Sequence, residues 1–147
     1  WAAMISERNF LRVVKAGAWY DVISTGLLAT PWTFNFMLTT LAQINAALGL
    51  GGAIPVYQPI FGIFGNLLGS IVLVWAILRL RSPEVRFGRY DAACRALYTI
   101  WMVYALMQGF SIILLGYIIP EIILGAAQIL PVRETRAAPA AQVAPVA

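Results

Sequence analysis

No charged residue occurs between Asp21 and Arg79, and Glu121 is the only one between Arg95 and Arg133. A chain with charge-free stretches of this length cannot coat a water-soluble globule. About a quarter of the residues in a soluble domain are charged; here the share is 11%, against 61% hydrophobic residues. The apolar residues fall in runs, and a helix needs about 20 such residues to cross the hydrocarbon core. The expected fold class is therefore an all-α integral membrane protein. It has four transmembrane helices and an interfacial amphipathic helix after the first.

Residues 9–130 are expected to form the transmembrane domain, with 1–8 a cytoplasmic N-terminal segment. Residues 131–147 read as a disordered, Ala/Pro-rich cytoplasmic tail. The first span runs from Asn9 to Thr30, and Pro31 ends or kinks it. Residues 31–50 are less apolar and read as a helix lying in the interface, with Trp32 and Phe34 near the head groups. An alternative places the first span at residues 19–46, preceded by a surface helix. Glycines and prolines in residues 49–59 mark a turn region. The remaining spans are expected at Pro59–Leu80, Ala92–Gln108 and Phe110–Leu130, with a reversal at Gly109.

The charges fix the orientation. Arg8, Arg12, Lys15, the cluster Arg79, Arg81, Arg86, Arg89 and Arg95, and finally Arg133 and Arg136 all fall on one side of this layout. The positive-inside rule makes that side, with both termini, cytoplasmic in a bacterial inner membrane. The net charge of +4 is thus a topology signal, and no nucleic-acid partner is expected. Membrane lipids are the expected surroundings, and anionic lipid is a second reading of the arginine cluster.

Two acids, Asp21 and Glu121, fall near mid-membrane in this layout without a basic residue at the same depth. An unpaired carboxylate is costly in lipid, so each is expected to face the bundle interior, a polar cavity or a partner. Pro120 removes a helix N–H beside Glu121 and frees the carbonyl of Gly116. Tyr117, one turn away, and Asn66 of the second span are the polar groups expected to join this locus. Gly62, Gly65 and Gly69 form a small-residue face, repeated by Ala92 and Ala96 in the third span. Such faces serve internal packing or docking of another subunit. Asp91 and Arg95, four residues apart, can pair along one helix.

The chain has no histidine, and Cys94 is its sole cysteine. No metal site, no His-dependent triad and no internal disulfide is expected. Phosphate-binding glycine motifs are also missing.

The layout resembles that of small bacterial four-helix membrane proteins of DoxX-like organisation. Pro31-Trp32, FGNLLG at 64–69 and RFGRYDAACR at 86–95 carry the resemblance. It implies proximity to redox or cell-envelope systems and supplies no catalytic residues. The functions weighed from the sequence are three. The first is a non-catalytic subunit or assembly factor of a larger inner-membrane complex, partnered by other transmembrane subunits. The second is a small oligomeric proton-coupled transporter, with Asp21 and Glu121 as its coupling acids. The third is a quinone- or lipid-handling protein, with bound phospholipid or quinone as its ligand; no other cofactor is expected.

Overall fold

The computed structural model describes residues 4–133, so most of the expected tail lies outside the described residues. Five α-helices occur among them: α1 Glu7–Ser24, α2 Pro31–Ala47, α3 Pro59–Arg81, α4 Val85–Met107 and α5 Leu115–Ile129. Two short strands, β1 Ile5–Ser6 and β2 Val132–Arg133, pair in parallel. They bring the two ends of the described chain together.

Caps or prolines mark the starts of α1, α2 and α3. Ser6 caps α1 by accepting the Asn9 N–H. The chain leaves α1 through a 3-10 turn at Thr25–Ala29, then extends at Thr30. The Thr30 hydroxyl accepts the Thr33 N–H at 3.2 Å, and Pro31 opens α2 as its first residue. Pro31 therefore begins a new helix after the first has already tightened and ended. This break also divides residues 19–46, so they form no single helix. Helix α3 begins at Pro59 as its proline and apolar pattern predict. Helix α4 starts at Val85, well before the expected Ala92, because charges that lower hydropathy there do not oppose helix formation.

The buried residues of α1 are Phe10, Val14, Gly17, Ala18 and Asp21, a single stripe at helical spacing. Gly88 of α4 lets that stripe approach closely; a Cβ there would lie 2.7 Å from the Phe10 ring. At the far end of the molecule the loop after α2 meets the turn after α4. Ala53 donates to the Gly109 carbonyl at 3.0 Å and accepts from Ser111 at 3.1 Å. Gly52 has φ +90°, and a side chain on it would strike the backbone of Phe110 and Ser111.

Among the described residues two segments are long and apolar enough to cross a membrane: α3, of mean hydropathy 2.2, and Ile112–Ile129, of mean hydropathy 2.0. Only 22% of each is buried within the chain, unlike the core helix of a globule. By length and composition the count is thus two spans, where the sequence led us to expect four. Helices α1 and α4 fall short because each carries several charges.

Candidate functional site

Charges on four helices converge at one level of the bundle. Arg79 lies near the end of α3, and its guanidinium contacts Asp21 of α1 and, at 2.6 Å, Asp91 of α4. Arg95 reaches Asp21 at 3.1 Å, Asp91 at 3.1 Å and Glu121 of α5 at 2.8 Å. Asp91 also accepts from Gln128 Nε2 at 2.7 Å and from the Trp75 indole N–H at 3.3 Å. All five charged residues are buried. Carboxylate oxygens thus meet guanidinium forks in a nearly closed network, the arrangement that makes buried charge tolerable.

Asp21 and Glu121 are brought together as the sequence suggested, but they have basic partners at their own depth. Depth along a helix did not reveal this, because Arg79 and Arg95 belong by sequence to the basic cluster between two spans. Both leave that cluster for the interior, while Arg81 and Arg86 stay at the surface. Arg86 pairs with Glu84 there. Arg89 donates to the carbonyls of Gln128 and Leu130 at 2.8 and 2.9 Å, closing the end of α5. Asn66 does not enter the Glu121 locus; its amide donates to the Leu28 carbonyl at 2.7 Å and secures the 3-10 turn. The Tyr117 carbonyl is the acceptor for Tyr20 Oη at 3.4 Å, and Pro120 lies inside α5.

Gly17 was not singled out from the sequence, yet it admits the network. A Cβ on it would lie 2.8 Å from Arg95 Nη2 and 3.1 Å from Gln128 Nε2. The other glycines of interest meet their own chain. Gly62 faces the Tyr57 ring, Gly65 the Phe34 ring, and Gly69 the backbone of Leu28 and Ala29. Ala92 is buried, whereas Ala96 is exposed.

Beside the network lies a cavity of about 470 Å³. Its walls come from the end of α1, the 3-10 turn, all four later helices and the turn before α5. They are mostly apolar, with Leu38, Leu41, Leu68, Trp101 and Met102 among them. Tyr98, Tyr117, Ser24 and Glu121 supply the few polar groups. Glu121 therefore has two faces. Its Oε2 accepts from Arg95, while Oε1 has no hydrogen-bond partner among the described residues. A few polar groups convergent in an apolar chamber of this size are the usual makings of a small-molecule site.

No family model, no curated protein and no solved structure matches the chain.

Proposed function

We propose that the protein is a multi-pass membrane protein that holds a hydrophobic small molecule with a polar head, of the lipid or quinone kind. The observation that carries this reading is the cavity of about 470 Å³ with Glu121 in its wall, whose Oε1 has no hydrogen-bond partner among the described residues. The four-span layout belongs to the same proposal. Charges that lower the hydropathy of α1 and α4 include Asp21, Asp91 and Arg95, which are paired inside the bundle. The outward face of α4 is then apolar, with Leu97, Ile100 and Met107 exposed. Pairing of β1 with β2 favours an even number of spans, with both ends on the cytoplasmic side. The uncharged loops meet at the opposite end, and exposed Trp32 and Phe36 suit α2 to the interface.

Ligand binding takes precedence over the accessory-subunit role for a specific reason. Part of the support for that role was its small-residue helix faces, and Gly62, Gly65 and Gly69 meet Tyr57, Phe34 and the Leu28–Ala29 backbone of their own chain. The DoxX-like organisation stays within the proposal, since RFGRYDAACR supplies Asp91 and Arg95.

The test is to purify the protein gently into nanodiscs and identify co-purifying small molecules by native mass spectrometry. One hydrophobic molecule per chain is expected, and Ala105→Phe, which fills the cavity, should expel it without lowering the melting temperature. Retention of the same molecule by a folded Ala105→Phe variant would move the ligand elsewhere and defeat the reading.

A further inference from the structure

The charge network does not balance. Three carboxylates, Asp21, Asp91 and Glu121, face two guanidiniums, Arg79 and Arg95. Fully ionised, the cluster carries one surplus negative charge in a medium that solvates charge poorly. No further charged residue lies on α2 or elsewhere on α5, and Arg89 is committed to the carbonyls at the end of α5.

The surplus can be assigned to one residue. Asp21 contacts both arginines, and so does Asp91, which also receives Gln128 and Trp75. Glu121 contacts Arg95 alone, and through one oxygen. It is also the only one of the three acids that lines the cavity, where its residue surface is 5% exposed. The groups facing it are Asp21 and Tyr20 of α1, Asp91, Arg95 and Tyr98 of α4, and Tyr117 of its own helix, with Arg79 of α3 behind Asp21. None of these adds a cation on the cavity side.

Resting on the cavity reading above, we infer that the ligand has a cationic head, an alkyl- or aryl-substituted onium group on a hydrophobic body, and that Glu121 takes it in exchange for a proton. In the empty site the proton sits on Oε1, and Oε2 still accepts from Arg95. When the cation enters, the O–H bond breaks, its electron pair stays on the carboxylate, and the proton leaves to water. The cation then supplies the positive charge that the proton supplied before. Trp101, Tyr98 and Tyr117 give its substituents aromatic faces, which attract cations. An ammonium head could come from a free lipophilic amine or from a zwitterionic lipid. The lipid would bring a phosphate, and both arginines of the network are already engaged with carboxylates. The free cation therefore fits better.

The experiment titrates protein in nanodiscs of uncharged, non-ionic detergent-like lipid with three probes: tetraphenylphosphonium, decylubiquinone and dioleoylphosphatidylethanolamine. Binding is followed by tryptophan fluorescence, and proton release by a pH dye in weak buffer. Tetraphenylphosphonium is expected to bind, releasing about one proton per chain, with affinity falling about tenfold for each pH unit on the acid side of the Glu121 titration. Glu121→Gln should abolish the release and weaken binding at least tenfold, while Glu121→Asp keeps both. Melting temperatures identify any variant that has not folded, and Glu121→Asp then carries the comparison. Binding of the phosphonium with no proton release, or equally tight binding to folded Glu121→Gln, overturns the exchange and leaves the cavity reading intact. Binding of decylubiquinone alone overturns the cationic head and keeps the cavity, and binding of the phosphatidylethanolamine alone overturns the free cation in favour of a lipid headgroup. If none of the three binds, the cavity reading itself fails.

Discussion

Arg95 Nη1 donates to Glu121 Oε2 at 2.8 Å, and among the described residues this is the sole ion pair between α5 and the rest of the bundle. The same guanidinium holds Asp21 and Asp91. One side chain on α4 thereby joins α1 and α5 at a single level. Arg79 closes the circuit from α3 through Asp21 and Asp91. In the membrane setting proposed above, helices gain little apolar contrast against lipid, and such directional contacts fix helix register where hydrophobic burial does not choose among helix faces.

Removal of Arg95 should therefore be severe. Arg95→Ala leaves Glu121 without a cation and Asp21 and Asp91 sharing Arg79 alone, and breaking a buried pair in this way costs about 3–5 kcal/mol. Arg86→Ala is the control, since the Arg86–Glu84 side chains are 68% and 43% exposed. An exposed pair of this kind contributes at most about 1 kcal/mol. Reversible thermal or denaturant unfolding in one detergent checks the contrast, and equal losses for the two variants would contradict the network.

Asp21 and Glu121 should respond unequally to neutralisation. Asp21→Asn removes a partner from both arginines and should destabilise by about 3 kcal/mol. Glu121→Gln mimics the protonated acid of the empty site, and its amide oxygen can still accept from Arg95, so stability should stay within about 1 kcal/mol of the parent. The same pair of variants also tests transport in reconstituted vesicles. Full transport by both would exclude these acids as coupling groups.

These acids show what a single sequence reveals about the site and what it conceals. Asp21 and Glu121 stood out because each interrupts an apolar run. Asp91 and Arg95 were readable as an i,i+4 pair, and that pair is present at 3.1 Å. Their joining to Asp21 depends on how helices rotate against one another, which no local pattern encodes. Arg79 was hidden for a related reason. It stands two residues from Arg81, and both look like charges at the end of a span. Only one of them faces inward: Arg79 is 0% exposed, while Arg81 stays outside. The limits of α3 were legible because Pro59 and the two arginines bracket an uncharged run. The early start of α4 was not, because hydropathy reports transfer into lipid, and the α4 charges Asp91 and Arg95 are paired inside the bundle.

Gly17→Ala should disturb the network from outside its own members. The new methyl group would sit 2.8 Å from Arg95 Nη2 and 3.3 Å from Asp91 Oδ2. Arg95 is held by three carboxylates and has little freedom to withdraw. Overpacking at such a position costs about 1–3 kcal/mol. The expected result is a lowered melting temperature together with a loss of helix α5 protection in hydrogen exchange. A variant as stable as the parent would mean that α1 can shift without cost.

Gly69 separates internal packing from subunit docking. A Cβ at this position would run into the backbone of Leu28 and Ala29, which cannot move aside as a side-chain tip can. The 3-10 turn there is further fixed by Asn66, whose amide donates to the Leu28 carbonyl at 2.7 Å. Gly69→Val should therefore destabilise the isolated chain by about 2 kcal/mol or more. Asn66→Ala should weaken the same turn by about 1 kcal/mol through loss of its hydrogen bond. Because residues 66 and 69 act on one turn, the double variant should lose less than the sum of the two. Unfolding measured on all three variants, with assembly mass recorded alongside, decides the matter. If assembly mass changed while the melting temperature did not, the glycine face would be contacting a partner chain rather than this turn.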